Sequence, residues 1–560
     1  MKLTKLLSIF FFLVGLLNAE KAPVVNIPHL GKIKGSFRES LNRHKYYTFE
    51  GVPYASPPVG QYRFKEPVPV KQWNGTWEAQ TMHKCLQYQQ HVQPWEDVVT
   101  GDEDCLYLNI FTPTLDKNAK LDVVVHIHGG AFMFLYGGFF GPDFIMDRDV
   151  VFINFNYRLG PLGFLSTEDE VLPGNNGIED QIMALRWIKT NVQYFGGNSD
   201  SITLTGMSAG GASVHIHYLS PKSRGLFHRG ISQSGTSLCG WSVMEKPLKK
   251  TQKIASKLGC FSTITEHMIN CLRQRPARQI VAAVKELQPW MYNPFVVFGP
   301  VVDSWSSNPV LPDHPLNLIK KGQVSDLPWI VSVTDFEGLY PAVDFVQKEY
   351  LKEIDARWNE LMPFILDYND TVDSTLLDEV SQKIRKHYLH DQKLDQSNFV
   401  DFVQIFSDRF ALLDTHKSAK LQASVVKSPV YFYLFSYRGA HYWYESFAER
   451  QEDYGASHSE DTSFILKTPD VDSTSTEEDR RMIEIFVEMF TSFAKTGIPK
   501  TSGPWTPISK NPKDEIVALL IKSPDKLVME RVVLENEKFW ESLPIMENEK
   551  LVSKGVKDEL

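Results

Sequence analysis

Apolar and polar positions along this chain fall into two rhythms. Short apolar runs rich in β-branched residues recur at Val123–Ile127, Val150–Asn154, Ile202–Thr205, Gly230–Ser232, Trp329–Val333 and Val430–Phe435. Between several of them the spacing changes to that of a helix. In Asp180–Asn191, for example, Ile182, Ala184, Leu185 and Ile188 form the apolar face. Strands that are apolar throughout are buried on both sides, and strands separated by helices pair in parallel. The pattern predicts an α/β architecture: a large, mostly parallel central sheet flanked by helices, with long insertions. A late amphipathic helix, Thr476–Ala494, puts Met482, Ile485, Phe486, Met489, Phe490 and Phe493 on one side and is stopped by Gly497 and Pro499. That stripe reads as a core-facing surface helix rather than a membrane-binding one. Asp344–Val400 is charged, helix-rich and poorly patterned, and reads as an insertion beside the sheet.

One strand leads into a corner that carries chemistry. After Ser201–Thr205 the chain turns through Gly206-Met-Ser-Ala-Gly210 and enters the apolar, helix-permissive run Ala212–Leu219. A serine at such a strand-to-helix turn is the nucleophile elbow of an α/β-hydrolase fold. The turn lifts the hydroxyl above the sheet edge, and the glycines remove side chains that would clash there. A hydroxyl attacks a carbonyl usefully only with a base to take its proton and fixed donors to hold the resulting oxyanion. In this fold the partners follow in the order serine, acid, histidine.

That order directs the search. His128-Gly-Gly-Ala-Phe132 follows the strand Val123–Ile127 and offers backbone N–H groups for an oxyanion hole; Gly130, Ala131 and, after the nucleophile, Ala209 are the expected donors. The strand Trp329–Val333 runs into Thr334-Asp335-Phe336-Glu337-Gly338, where spacing alone leaves Asp335 and Glu337 equal candidates for the acid. Of 16 histidines, two follow the last strand at suitable distance, His441 and His458. His458 lies in the flexible loop Gly455-Ala-Ser-His-Ser-Glu-Asp461. His441 sits in the aromatic stretch Tyr437–Tyr444 and reads as a packing residue. The pairs His126/His128 and His215/His217 look like metal ligands, but neither has a third ligand at suitable spacing. The reading calls for no metal and no cofactor.

Composition narrows the setting. The 560 residues are 42% hydrophobic, with no linker, low-complexity stretch or fixed-period repeat, so residues 20–556 read as one α/β unit with insertions. A net charge of −9 without a basic stripe argues against nucleic acid. Lys2 and Lys5 precede the apolar run Leu6–Leu17, and residues 1–19 read as a secretory signal. Residues 557–560 spell Lys-Asp-Glu-Leu, an address read by an endoplasmic-reticulum retrieval receptor. The expected location is the endoplasmic-reticulum lumen, with secretion as the alternative, and no transmembrane segment is expected in the mature chain. Five cysteines suit an oxidising compartment; local pairing of Cys85 with Cys105 and of Cys260 with Cys271 is simplest, leaving Cys239 as a buried thiol. Asn74 and Asn369 head glycosylation tripeptides.

The motifs together resemble the type-B carboxylesterase, cholinesterase-like family over essentially the whole mature length, and most of all its insect detoxifying esterases. Phe195–Gly210 fits the family's serine signature, and Glu103-Asp-Cys-Leu-Tyr-Leu-Asn109 fits its second one. Asn156–Gly160, Pro173–Asn175, Asp180-Gln181 and Phe227–Gly230 stand in family order. The resemblance implies Ser208, Glu337 and His458 as the catalytic triad, because the family's acid precedes a glycine and its histidine stands in a Gly-x-x-His loop. It implies the same two disulfides and an ion pair between Arg158 and Asp180. Met207 stands where the family most often has glutamate, which removes a charge that would favour a cationic substrate. Met207 is thus expected at the substrate pocket; Trp241, just past Cys239, resembles an acyl-pocket wall, with core packing as the equal alternative. Trp95 stands near the choline-binding tryptophan of cholinesterases and reads here as surface packing. The implied activity is hydrolysis of small uncharged aliphatic or aromatic esters through an acyl-enzyme, in xenobiotic or lipid-ester metabolism. The alternatives are a specialised hormone or pheromone esterase and a non-catalytic binding or adhesion protein on the same scaffold.

Overall fold

The computed structural model describes residues 21–90, 99–442, 445 and 454–552. The expected leader at 1–19, Trp95 and the tail at 557–560 lie outside the described residues.

An 11-stranded mixed sheet organises the chain. In chain order its strands are β1 (Ser36–Glu39), β2 (Lys45–Pro53), β3 (Tyr107–Thr112), β4 (Leu121–Ile127), β5 (Val150–Phe155), β6 (Gly197–Met207), β7 (Arg229–Gln233), β8 (Trp329–Thr334), β9 (Val430–Phe435), β10 (Val517–Ser523) and β11 (Lys526–Arg531). Across the sheet, β5, β4, β6, β7, β8, β9 and β10 run parallel in that order. Antiparallel strands finish both edges: β3, β2 and β1 beyond β5, and β11 beyond β10. The six strands read from the sequence form the parallel heart, β4 to β9. This is the α/β-hydrolase arrangement.

Alternation along each strand divides the core into two layers. On β4, Val123 and Val125 join one apolar cluster while Val124 joins the other. The first cluster takes Ile182, Leu185 and Ile188 from helix α1 (Asn176–Asn191) and Val214 and Ile216 from α2 (Ala209–Leu219). Between the insertion and β9 run α3 (Phe399–Ser407) and α4 (Leu413–Val425). The second cluster packs Ile231, Ile330 and Tyr431 against Met482, Phe486, Phe490 and Phe493 of α5 (Glu477–Thr496). Thr476 Oγ1 caps α5 by accepting the Asp479 N–H at 3.1 Å, and Gly497 ends it at φ 75°. Ile485, expected on the inner face, is only half-buried; Ile483 and Val487 turn inward instead. The insertion buries a third cluster of its own, including Leu351, Ile354, Leu361 and Ile384.

Cys85–Cys105 and Cys260–Cys271 are bonded, and Cys239 is a buried free thiol, its pKa pushed up to about 12 by burial. Asn74 is exposed, whereas Asn369 is half-buried with its Oδ1 buried and unpartnered. No helix among the described residues is long and apolar enough to cross a membrane. His441 is not packed: it lies exposed, 3.0 Å from Glu445 Oε2, although Tyr437 and Tyr442 on either side of it are buried.

Two buried polar features tie loops to the core. Arg158 meets Asp180 through paired contacts of 2.7 Å, and its backbone N–H adds a third at 3.0 Å. Removing one partner of such a pair strands the other charge in an apolar interior. Asp180→Asn should therefore cost about 3–5 kcal/mol of unfolding free energy in urea, and joint replacement by Arg158→Met and Asp180→Leu should cost less.

The histidine pairs are spent on internal hydrogen bonds. His126 Nδ1 meets Thr205 Oγ1 at 3.0 Å and His128 Nδ1 the Gly129 carbonyl at 2.8 Å. His215 bridges Ser237 and Gln422, and His217 bridges Ser223 and Gln181, all at 2.8–3.0 Å. Burial holds His126, His215 and His217 down to about 3 and His128 to about 4. The unfolded chain protonates the same groups near pH ~6.5. Below that pH it binds more protons than the folded chain, so their contribution is intact above it and declines as the pH falls toward 4. His215→Gln should flatten the dependence of stability on pH between 6 and 4 by about one proton's slope, about 1.4 kcal/mol per pH unit. An unchanged slope in urea titrations would contradict this assignment.

Candidate active site

The corner after β6 is fixed by contacts too close for ordinary side chains. A Cβ on Gly210 would lie 2.0 Å from the Ile127 carbonyl oxygen, and one on Gly206 would lie 2.4 Å from the Gly210 backbone. Between these glycines Ser208 adopts φ 55°, ψ −124°, which belongs to neither the strand nor the helix. Its N–H donates to the Gln233 carbonyl at the end of β7 at 2.8 Å, and its own carbonyl accepts the Ala212 N–H of α2 at 2.9 Å. Such a conformation costs about 1–3 kcal/mol and persists only where neighbours dictate it.

The two acid candidates have separate tasks. Glu337 is 2% exposed, and its Oε1 accepts the Thr334 N–H at 2.8 Å while Oε2 lies 2.5 Å from His458 Nδ1. Asp335 Oδ1 instead accepts the Ala456 N–H at 2.8 Å, and the Phe336 N–H donates to the Ala456 carbonyl at 3.0 Å. Asp335 and Phe336 thus staple down the loop that bears His458. Within that loop Glu460 Oε2 takes the Ser457 N–H at 2.7 Å. Tyr340 lies parallel to the His458 ring, centroids 6.2 Å apart.

Ser208, His458, Glu337 and Ala131 line one cavity. No hydrogen bond joins Ser208 Oγ to His458 among the described residues; in ligand-free sites this contact is commonly long and tightens on binding. The turn after β4 places Gly130 at φ 89° and Ala131 at φ 56°. Among the described residues the N–H groups of Gly130 and Ala131 donate to no backbone carbonyl, and Ala209, as the first residue of α2, has no intrahelical acceptor. Gly130 and Ala131 follow β4, the parallel neighbour of the strand β6 that carries Ser208, and Ala209 follows Ser208 itself.

The remaining wall is apolar or aromatic: Trp241, Phe295, Val296, Tyr340, Pro341 and Phe410. Trp241 Nε1 donates to the Phe410 carbonyl at 2.5 Å. Met207 is not on this wall. As the last residue of β6 it points into the opposite apolar layer with Ile231 and Tyr433, and its Sδ covers Gly129, where a Cβ would lie 2.3 Å away. Tyr340 and Pro341 follow the acid so closely that the sequence could have shown them. Phe295, Val296 and Phe410 carried no such signal. Three or more His, Cys, Asp or Glu side chains able to hold a metal do not gather anywhere among the described residues.

Comparison with known proteins places this geometry in context. A sequence model described as the carboxylesterase family matches residues 21–539. Venom carboxylesterase-6 of Apis mellifera is 40% identical over 523 residues, 92% of this chain and 94% of that protein. Esterase FE4 of Myzus persicae is 40% identical over 522 residues, 91% of each. Juvenile hormone esterase of Tribolium castaneum is 32% identical over 84% of this chain and 83% of its own length. Among solved structures, juvenile hormone esterase from Manduca sexta, with OTFP covalently attached, superposes with a TM-score of 0.82 at 28% identity. It covers 93% of this chain and 99% of that one.

Proposed function

Since this chain belongs to the carboxylesterase family and is a serine carboxylester hydrolase, we propose that Ser208, His458 and Glu337 carry out its chemistry. The observation behind the assignment is the 2.5 Å contact between Glu337 and His458 Nδ1, made at a cavity that Ser208 also lines. With Nδ1–H donated to Glu337, His458 presents a basic Nε2 to the serine. Ser208 Oγ attacks the ester carbonyl as Nε2 takes its proton, and the N–H groups of Gly130, Ala131 and Ala209 receive the oxyanion. Collapse of the adduct expels the alcohol, which is protonated by His458. Water then repeats the sequence on the acyl-serine and restores the enzyme. Glu337 keeps the ring oriented and stabilises its cationic form.

The walls suit uncharged aliphatic or aromatic esters. Trp241, Phe295, Val296 and Phe410 offer apolar surface, and the one carboxylate at the cavity among the described residues is committed to His458. The family members at 40% identity include a venom carboxylesterase and esterase FE4, which favours a broad ester hydrolase. The likeness to juvenile hormone esterases supports a second reading, a specialised hormone esterase. A panel of esters separates them: comparable kcat/KM across the panel supports the first, and one substrate exceeding the rest by orders of magnitude supports the second.

Ser208→Ala should lower turnover of a neutral model ester by about 10⁴–10⁶-fold; near wild-type turnover would refute the nucleophile. Glu337→Gln should cost about 10³–10⁴-fold in kcat. Asp335→Asn, which only weakens the loop staple, should cost about tenfold or less. Equal losses in these two variants would overturn the division of labour.

A further inference from the structure

Helix α3 does not pass smoothly into α4. Between them lies one π-turn, Asp408–Leu412. Such a turn shifts the side chains that follow out of helical phase, and it is frequent at functional sites. Here the residue aimed at the cavity is Phe410. The two residues before it are buried and heavily bonded. Asp408 accepts Tyr388 Oη at 2.6 Å, Asn536 Nδ2 at 2.7 Å and Gln404 Nε2 at 2.9 Å.

Arg409, 5% exposed, sits behind the cavity wall. It donates Nε to the Leu366 carbonyl at 3.0 Å and Nη2 to the Asp367 carbonyl at 3.1 Å, and it pairs with Glu547 at 2.6 Å. Its guanidinium also lies flat against Gly240, where a Cβ would stand 2.5 Å from Nη1. Gly240 is the residue before Trp241, and Trp241 Nε1 is bonded to the carbonyl of Phe410. One guanidinium therefore braces the backbone on both sides of a two-ring wall: Gly240 ahead of Trp241, and the π-turn that presents Phe410. An apolar side chain would fill the same volume without the desolvation cost of a buried charge, but it could not hold the two carbonyls at fixed distance.

We propose that Arg409 is a positioning residue for substrate selection, setting through Gly240 and the π-turn how far the Trp241–Phe410 wall stands into the cavity. Glu547, near the chain's C-terminal end, is the outer anchor of this brace. The proposal rests on the reading that the cavity at Ser208 holds the ester, and the test keeps the two separable.

The experiment measures kcat/KM on two series of neutral esters, one varying the acyl group on a constant alcohol and one varying the alcohol on a constant acyl group. Active sites are counted by titration with a phosphonofluoridate. Phe410→Ala should change the bulky-to-small ratio about tenfold or more in one series. The combined Arg409→Met and Glu547→Leu variant, which removes both charges together, should shift the same ratio in the same direction by about threefold or more. The other series should stay flat. Arg409→Lys keeps a charge against Glu547 but loses the planar fork to the two carbonyls, and it should shift that ratio too; it serves if the combined variant does not fold. Equal loss on every ester, or no change, in the Arg409 variants alongside a shift in Phe410→Ala would overturn the proposal and leave the cavity reading standing. No shift in Phe410→Ala would overturn both.

Discussion

The strand-to-helix corner at Ser208 is the constraint on which the rest of this molecule turns. Gly206 and Gly210 approach neighbouring backbone so closely that no side chain fits, and Ser208 is held between the carbonyl of Gln233 on β7 and the N–H of Ala212 on α2. That corner stands at the carboxyl end of a strand flanked by β4 and β7. In a parallel sheet the loops leaving neighbouring strands arrive at the same edge, which is why open α/β sheets place their sites there. The turn after β4 and the acid-bearing loop after β8 therefore meet Ser208 as a result of topology. Only the histidine has to be delivered by a loop anchored for the purpose.

That anchoring is local and polar. The loop at His458 pairs with the end of β8 through Asp335, Phe336 and Ala456, and closes on itself through Glu460 and the Ser457 N–H. Glu337 then needs to meet only the imidazole and the Thr334 N–H. Dividing two neighbouring acids in this way avoids placing two carboxylates against one ring, where each would oppose the ionisation of the other. Among the described residues the proposed base thus has one carboxylate partner, in a buried setting where that contact is strong.

The sequence disclosed the centre of the fold better than its margins. The strands β4 to β9 were legible because burial on both faces makes them apolar throughout. The antiparallel strands β1, β2, β3 and β11 and the outermost parallel strand β10 were missed: β11 is exposed or half-buried throughout, and β2 carries Glu50 among mostly buried neighbours. The corner at Ser208, the turn at Gly130 and Ala131, and the loop at His458 were legible because glycines mark sharp backbone. Asp335 and Glu337 could not be told apart from spacing alone, since residues leaving a strand have no fixed direction; the family resemblance pointed to Glu337. Met207 was expected at the pocket because it stands where the family most often has glutamate, but at the end of β6 its side chain joins the apolar layer of Ile231 and Tyr433 and does not line the cavity. Phe410 was invisible because a π-turn breaks the periodicity by which helical residues are assigned a side.

Ser208 is, on this geometry, the one hydroxyl that the proposed assembly activates. Intact-mass analysis after reaction with a phosphonofluoridate, followed by peptide mapping, tests it most directly. One adduct per chain, on Ser208, is the predicted result. An adduct on another residue, or an unlabelled chain that still hydrolyses esters, would contradict it.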